Sequence, residues 1–100
     1  MNIQITSRKF RAKDSLKEHI NKELKGLEKY NDDILEANVV LSYTHIKDSI
    51  KTAEVVLKIP GKVLSVTETS EDYSKSVSGA AEKLERQLKK VKSKRISKVR

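Results

Sequence analysis

Residues 53–66, AEVVLKIPGKVLSV, decide the fold. Ala53, Val55, Leu57 and Ile59 alternate with Glu54, Val56 and Lys58. A period of two puts the first set on one face of a β-strand. Pro60-Gly61 follows at once, and that dipeptide punctuates a chain as a tight turn. Leu64 and Val66 then resume the alternation, so two antiparallel strands are joined by the turn.

Working back toward the N-terminus, residues 35–43 (LEANVVLSY) carry the same signal, with Leu35, Ala37, Val39, Leu41 and Tyr43 on one face. Residues 44–50, THIKDSI, are polar enough for a loop. Ile3 and Ile5 mark a first strand over 2–7. Between these lies DSLKEHINKELKGLEKY (14–30), where Leu16, Ile20, Leu24 and Leu27 recur at helical spacing. Ser15 and Glu18 fit a capping box, with Asp14 a competing N-cap, and Gly26 loosens the last turn. Working forward, Ser70 is the expected N-cap of a second helix, with Glu71 and Asp72 near its positive end. Tyr73, Val77, Ala80, Ala81, Leu84, Leu88 and Val91 form its apolar face, and Gly79 is a weak point. Beyond Val91 the chain is too charged to pack and is expected to fray.

The predicted fold class is therefore α+β, in the order β-α-β-β-β-α. A strand–helix–strand start implies a right-handed crossover, so the first two strands should be parallel neighbours. Each helix has one apolar stripe. The simplest arrangement is a four-stranded sheet with both helices on one face. Two regions are expected: a binding domain over 1–94 and a flexible basic tail over 95–100.

Several functions are disfavoured. No stretch approaches the ~20 apolar residues of a membrane span. The N-terminus lacks an apolar signal core, and there is no cysteine, which fits a cytoplasmic location. His19 and His45 stand without a paired carboxylate, so neither catalysis nor a metal or other cofactor is expected. Asp32-Asp33 and Glu71-Asp72 read as a solvated loop and a helix start. Pro60-Gly61-Lys62 joins strand to strand and is not a phosphate loop.

Charge is the informative feature. The net charge is +8; residues 1–81 contribute +1 and residues 82–100 contribute +7. A concentrated positive field attracts RNA, DNA or an anionic membrane surface. On a helical wheel Lys75, Lys83, Arg86, Lys90 and Lys94 share one sector apart from the apolar face, with Glu82 and Glu85 to the other side. A stripe that largely avoids mixed-sign pairs is self-repulsive until a phosphate backbone meets it. On the first helix Lys22, Lys25 and Lys29 form a second stripe, diluted by Glu18 and Glu28. The two stripes are expected to wall a basic groove of about 10 Å helix spacing. No aromatic stacking platform is evident, so backbone and shape should be recognised more than sequence.

The stretches DSLKEHINKELKGLEKYNDDILEANVVLS (14–42), AEVVLKIPG (53–61) and TSEDYSKSVSGAAEKLERQLKKVK (69–92) closely resemble the bacterial ribosome hibernation promoting factor family, also called ribosome-associated inhibitors or sigma-54 modulation proteins. EKLERQLKKVK is the most specific of the matches. The resemblance implies a shape like a double-stranded-RNA-binding domain. It also implies a translation inhibitor docked on the small ribosomal subunit, in the head–body channel where mRNA and tRNA would lie. Carried over, it assigns rRNA contacts to the outward helix faces: Lys22, Lys25, Lys29, Lys83, Arg86 and Lys90, with Lys94 next along the stripe. It implies no small-molecule substrate and a free monomer. Ending at residue 100, the chain resembles the short members, although its tail is basic and Lys62 stands where the family's turn has a neutral residue. A general duplex-RNA or DNA binder is the competing reading, and an RNA-modifying enzyme a distant third.

Overall fold

The computed structural model describes residues 1–44 and 50–99, with side chains through Val91. The elements are β1 (Asn2–Ser7), α1 (Asp14–Lys25), β2 (Glu36–Tyr43), β3 (Lys51–Ile59), β4 (Lys62–Ser70) and α2 (Tyr73–Val99), with a 3-10 turn at Gly26–Lys29 following α1. The sheet order is β1-β2-β3-β4. Strands β1 and β2 are parallel, with Ile5 beside Val39. The other two pairs are antiparallel, Val39 opposite Val55 and Val55 opposite Val66. Gly61 takes the left-handed conformation (φ +76°) that the two-residue turn demands, and glycine adopts it without a Cβ clash.

This register lines one face of the sheet with Ala37, Val39, Leu41, Ala53, Val55, Leu57, Ile59, Leu64 and Val66, all buried. Ile20 and Leu24 of α1, Leu27 of the 3-10 turn and Val77, Ala80, Leu84 and Leu88 of α2 complete a single core over it. The alternate residues, among them Glu54, Lys58 and Ser65, are exposed on the opposite face. Burying a leucine or valine in such a core stabilises by about 1.5–3 kcal/mol.

The helix starts differ from their sequence expectation. At α1 the capping box does not form: Lys13 occupies the cap position with no side-chain cap bond. Its carbonyl accepts from Leu16 and Lys17 N–H (3.0 and 3.1 Å), so Ser15 already lies inside the first turn. At α2 the β3–β4 ladder continues through Ser70, which pairs with Lys51 and cannot also begin the helix. Asp72 caps instead, its Oδ1 accepting from Ser74 N–H at 2.9 Å. Buried Ser76 then donates to the Lys51 carbonyl at 2.8 Å, tying the helix start to β3.

α2 continues through Val99, past the close of its apolar periodicity at Val91. The Lys94 side chain and the expected tail's side chains lie outside the described residues, as do residues 45–49 with His45. Gly79, read as a weak point, has a packing reason: a Cβ there would stand 3.1 Å from Glu68 Oε2 on β4.

Candidate nucleic-acid interface

Lys83, Arg86 and Lys90 are exposed on α2, with Lys83 and Lys90 on the flank beside the edge strand β4. The stripe is less uniform in charge than its sequence spacing suggests. Arg86 donates to Glu82 (2.9 Å) and Lys89 to Glu85 (3.3 Å), each one turn back. Lys75 pairs with Glu71 (3.0 Å), and Lys83 with Glu68 of the edge strand β4. Lys90 has no ion pair among the described residues. Exposed pairs of this kind are worth about 0–1 kcal/mol each, so a phosphate can displace the carboxylate cheaply.

On the other side, Lys22 and Lys25 are exposed on α1 and without ion pairs among the described residues. Lys29 belongs to the 3-10 turn, where the α-helical wheel no longer applies, and its Nζ lies 5.6 Å from the Tyr30 ring centroid. α1 and α2 run parallel, joined by a polar seam. His19 Nε2 is 3.0 Å from Ser78 Oγ, and Ser78 donates to Glu23 Oε1 at 3.1 Å. His19 thus has a structural role in the helix pairing.

The expected basic groove between the helices is not formed. The cleft there, about 270 Å³, is lined by Glu23, Glu82 and Glu85 as well as Lys22 and Lys29. The reason is rotational. Glu82 and Glu85 turn toward α1, whereas Lys83 turns the opposite way to meet β4. Two basic ridges therefore flank a mixed, partly acidic seam.

Within that seam Tyr30 hydrogen-bonds Glu85. This bond first, and Lys89 second, hold the Glu85 carboxyl below the usual carboxylate range. A depressed acid contributes stability above its unfolded pKa and loses it as pH falls through the folded value. Tyr30→Phe is thus expected to move the Glu85 pKa back upward and to shift its loss of stability to higher pH on acidification. Carboxyl-carbon NMR titration checks it; an unmoved Glu85 would contradict the bond.

A further basic cluster lies in a loop, where helical periodicity gives no signal. Residues 8–13, RKFRAK, place Arg8, Lys9, Arg11 and Lys13 between β1 and α1, all exposed and none ion-paired among the described residues. The density of cations around one aromatic was the available signal. Among the described residues no group of three His, Cys, Asp or Glu could hold a metal ion, and no helix is long and apolar enough to cross a membrane.

Comparison with known proteins gives this geometry a context. The model of the sigma 54 modulation protein / S30EA ribosomal protein family matches residues 3–96. Ribosome hibernation promotion factors of Deinococcus radiodurans and Bacillus subtilis are 28% and 29% identical, matching 90% and 94% of this chain. The chain spans about half of those two relatives, 48% and 50%. It spans 87% of the 27% identical ribosome hibernation promoting factor of Azotobacter vinelandii, with 96% of this chain matched. The crystal structure of the Thermus thermophilus Protein Y N-terminal domain superposes with a TM-score of 0.82 at 30% identity, covering 91% of this chain and 99% of that one. A ribosomal subunit interface protein from Coxiella burnetii gives 0.83 at 28%, covering 93% and 99%. The curated relatives are named for ribosome hibernation and the Coxiella protein for the ribosomal subunit interface; none is named for a reaction. The family model covers residues 3–96 and the solved relatives superpose over more than nine-tenths of the chain, and the chain belongs to the sigma 54 modulation protein / S30EA ribosomal protein family.

Proposed function

We propose that this protein binds the small ribosomal subunit through its rRNA, in the channel used by mRNA and tRNA, and silences translation by occupying it. It acts by binding rather than by turnover, in the cytoplasm and as a monomer when free. The observation that carries this reading is the exposed ridge of Lys83, Arg86 and Lys90 on α2, in a chain whose relatives are named ribosome hibernation factors. Lys22, Lys25 and Lys29 supply the second ridge, and Lys94 extends the first. Because the ridges are separated by an acidic seam, they suit two neighbouring backbone strands rather than one strand in a groove.

Sedimentation with purified subunits tests the reading. The protein should comigrate with small subunits at ~150 mM salt and be displaced by mRNA plus tRNA. Seven backbone contacts predict a salt slope on the order of −5 to −6. Equal competition by random duplex RNA would favour a general nucleic-acid binder instead, since unspecific contacts carry no shape requirement. Absence of comigration at low salt rejects the proposal.

A further inference from the structure

The loop at 8–13 has features that its sequence does not explain as a connection. Lys9 is held at φ +66°, in the left-handed region that costs a side-chain-bearing residue energy. A clamp enforces that conformation. Phe10 stacks on Tyr73 (4.9 Å between centroids, 12° between planes) and meets Tyr43 edge-on (5.8 Å). Tyr43 OH donates to the Lys9 carbonyl (3.2 Å), and Tyr73 OH to the Ser42 carbonyl (3.1 Å). Three of the chain's four aromatics thus fix a loop that a flexible linker could have replaced.

What the clamp presents is charge. Arg8, Lys9, Arg11 and Lys13 are four exposed cations without ion pairs among the described residues, whereas four cations of α2 are each matched by a glutamate. Arg11 and Lys13, with Lys51, Tyr73 and Ser74, line a groove of about 460 Å³. Lys51 Nζ lies 5.9 Å from the Tyr73 ring centroid, so the clamp aligns that cation as well. Asp72 is the one carboxylate lining the groove, and its Oδ1 is engaged by the Ser74 N–H.

We propose that the β1–α1 loop is a second, preorganised phosphate-binding element, in which Arg11, Lys13 and Lys51 take a phosphate of an RNA backbone in the groove beside Tyr73. This rests on the rRNA-binding reading and extends it to the opposite end of the helix pair from Lys29 and Lys90. A fixed loop loses less conformational freedom on binding than a mobile one, which is what the aromatic clamp contributes. Contacts at both ends would set the protein's orientation on the subunit, as backbone contacts do elsewhere.

The test measures affinity of the full chain for purified small subunits across a salt series. Arg11→Gln with Lys13→Gln should weaken binding about 5–8-fold at 0.1 M salt and lower the salt slope by about 0.7–0.9, the share of one phosphate. Phe10→Leu keeps every charge; it should weaken binding with the slope unchanged, because only the loop's order is lost. A thermal melt confirms that each variant is folded, and the charge variant, whose side chains are exposed, decides the question if Phe10→Leu unfolds. Wild-type affinity and slope in the Arg11/Lys13 variant would overturn this inference alone. Failure of the wild type itself to bind overturns the proposed function, and this inference with it.

Discussion

Leu84→Ala is expected to lower folding stability by about 3 kcal/mol, within the 2–5 kcal/mol span for a buried leucine truncated to alanine. Leu84 is 0% exposed and sits at the middle of the apolar arc of α2, the helix laid over β3 and β4. Its loss leaves a cavity that the strands beneath cannot collapse into without breaking register. Against a total of about 5–15 kcal/mol this is a large share. At about 4–8 °C per kcal/mol for a domain of this size, the melting temperature should fall by roughly 12–24 °C. In urea the midpoint should drop while the slope stays fixed, since the surface exposed on unfolding hardly changes. Leu35, 60% exposed, provides the contrast. Leu35→Ala should change stability by no more than about 0.5 kcal/mol. Equal losses at the two positions would mean that α2 is not anchored on the sheet as described.

Most of the architecture follows from periodicity in the chain. Alternation at 37–41, 53–59 and 64–66 meets a Pro-Gly turn, and a single-stripe helix on each side leaves only one face to cover. The details that escaped are those set by distant partners. Ser70 looks like a cap until its ladder pairing with Lys51 claims it for β4, so the cap passes to Asp72. Lys29 fits an α-helical stripe until Gly26 opens a 3-10 turn. The wheel found the exposed cations of α2 but not the carboxylate of Lys83, because Glu68 reaches it from another strand. The sidedness of Glu82 and Glu85 was visible on the wheel. Its consequence, an acidic seam, required knowing which flank α1 occupies. The RKFRAK loop was missed for the opposite reason: it has no periodicity, and its order comes from Tyr43 and Tyr73, far along the chain.

The largest functional effect is expected from Lys83→Gln, Arg86→Gln and Lys90→Gln together. Three phosphate contacts at 0.7–0.9 released counterions each are worth about 10²–10³-fold in affinity at 0.1 M salt. Two of these cations must first leave carboxylates, Lys83 from Glu68 and Arg86 from Glu82, at about 0–1 kcal/mol each. The net loss for small-subunit binding should therefore lie near 10²-fold, with the salt slope reduced by about 2–3. The singles should rank accordingly. Lys90 has no pair to surrender among the described residues, so Lys90→Gln should cost its full share, about 5–8-fold. Arg86→Gln should cost less, because the wild-type arginine spends part of its gain on leaving Glu82. Glu82→Gln should then tighten binding, by freeing Arg86 and removing a negative charge beside the phosphate path. Lys83→Gln needs a melt beside it: Glu68 is only 24% exposed and lies against Gly79, so losing its cation costs the fold as well as the contact. If Glu82→Gln weakens binding, or the triple variant binds small subunits as the wild type does, the cations of α2 are not the contact surface and the ridge of α1 or the 8–13 loop must carry it.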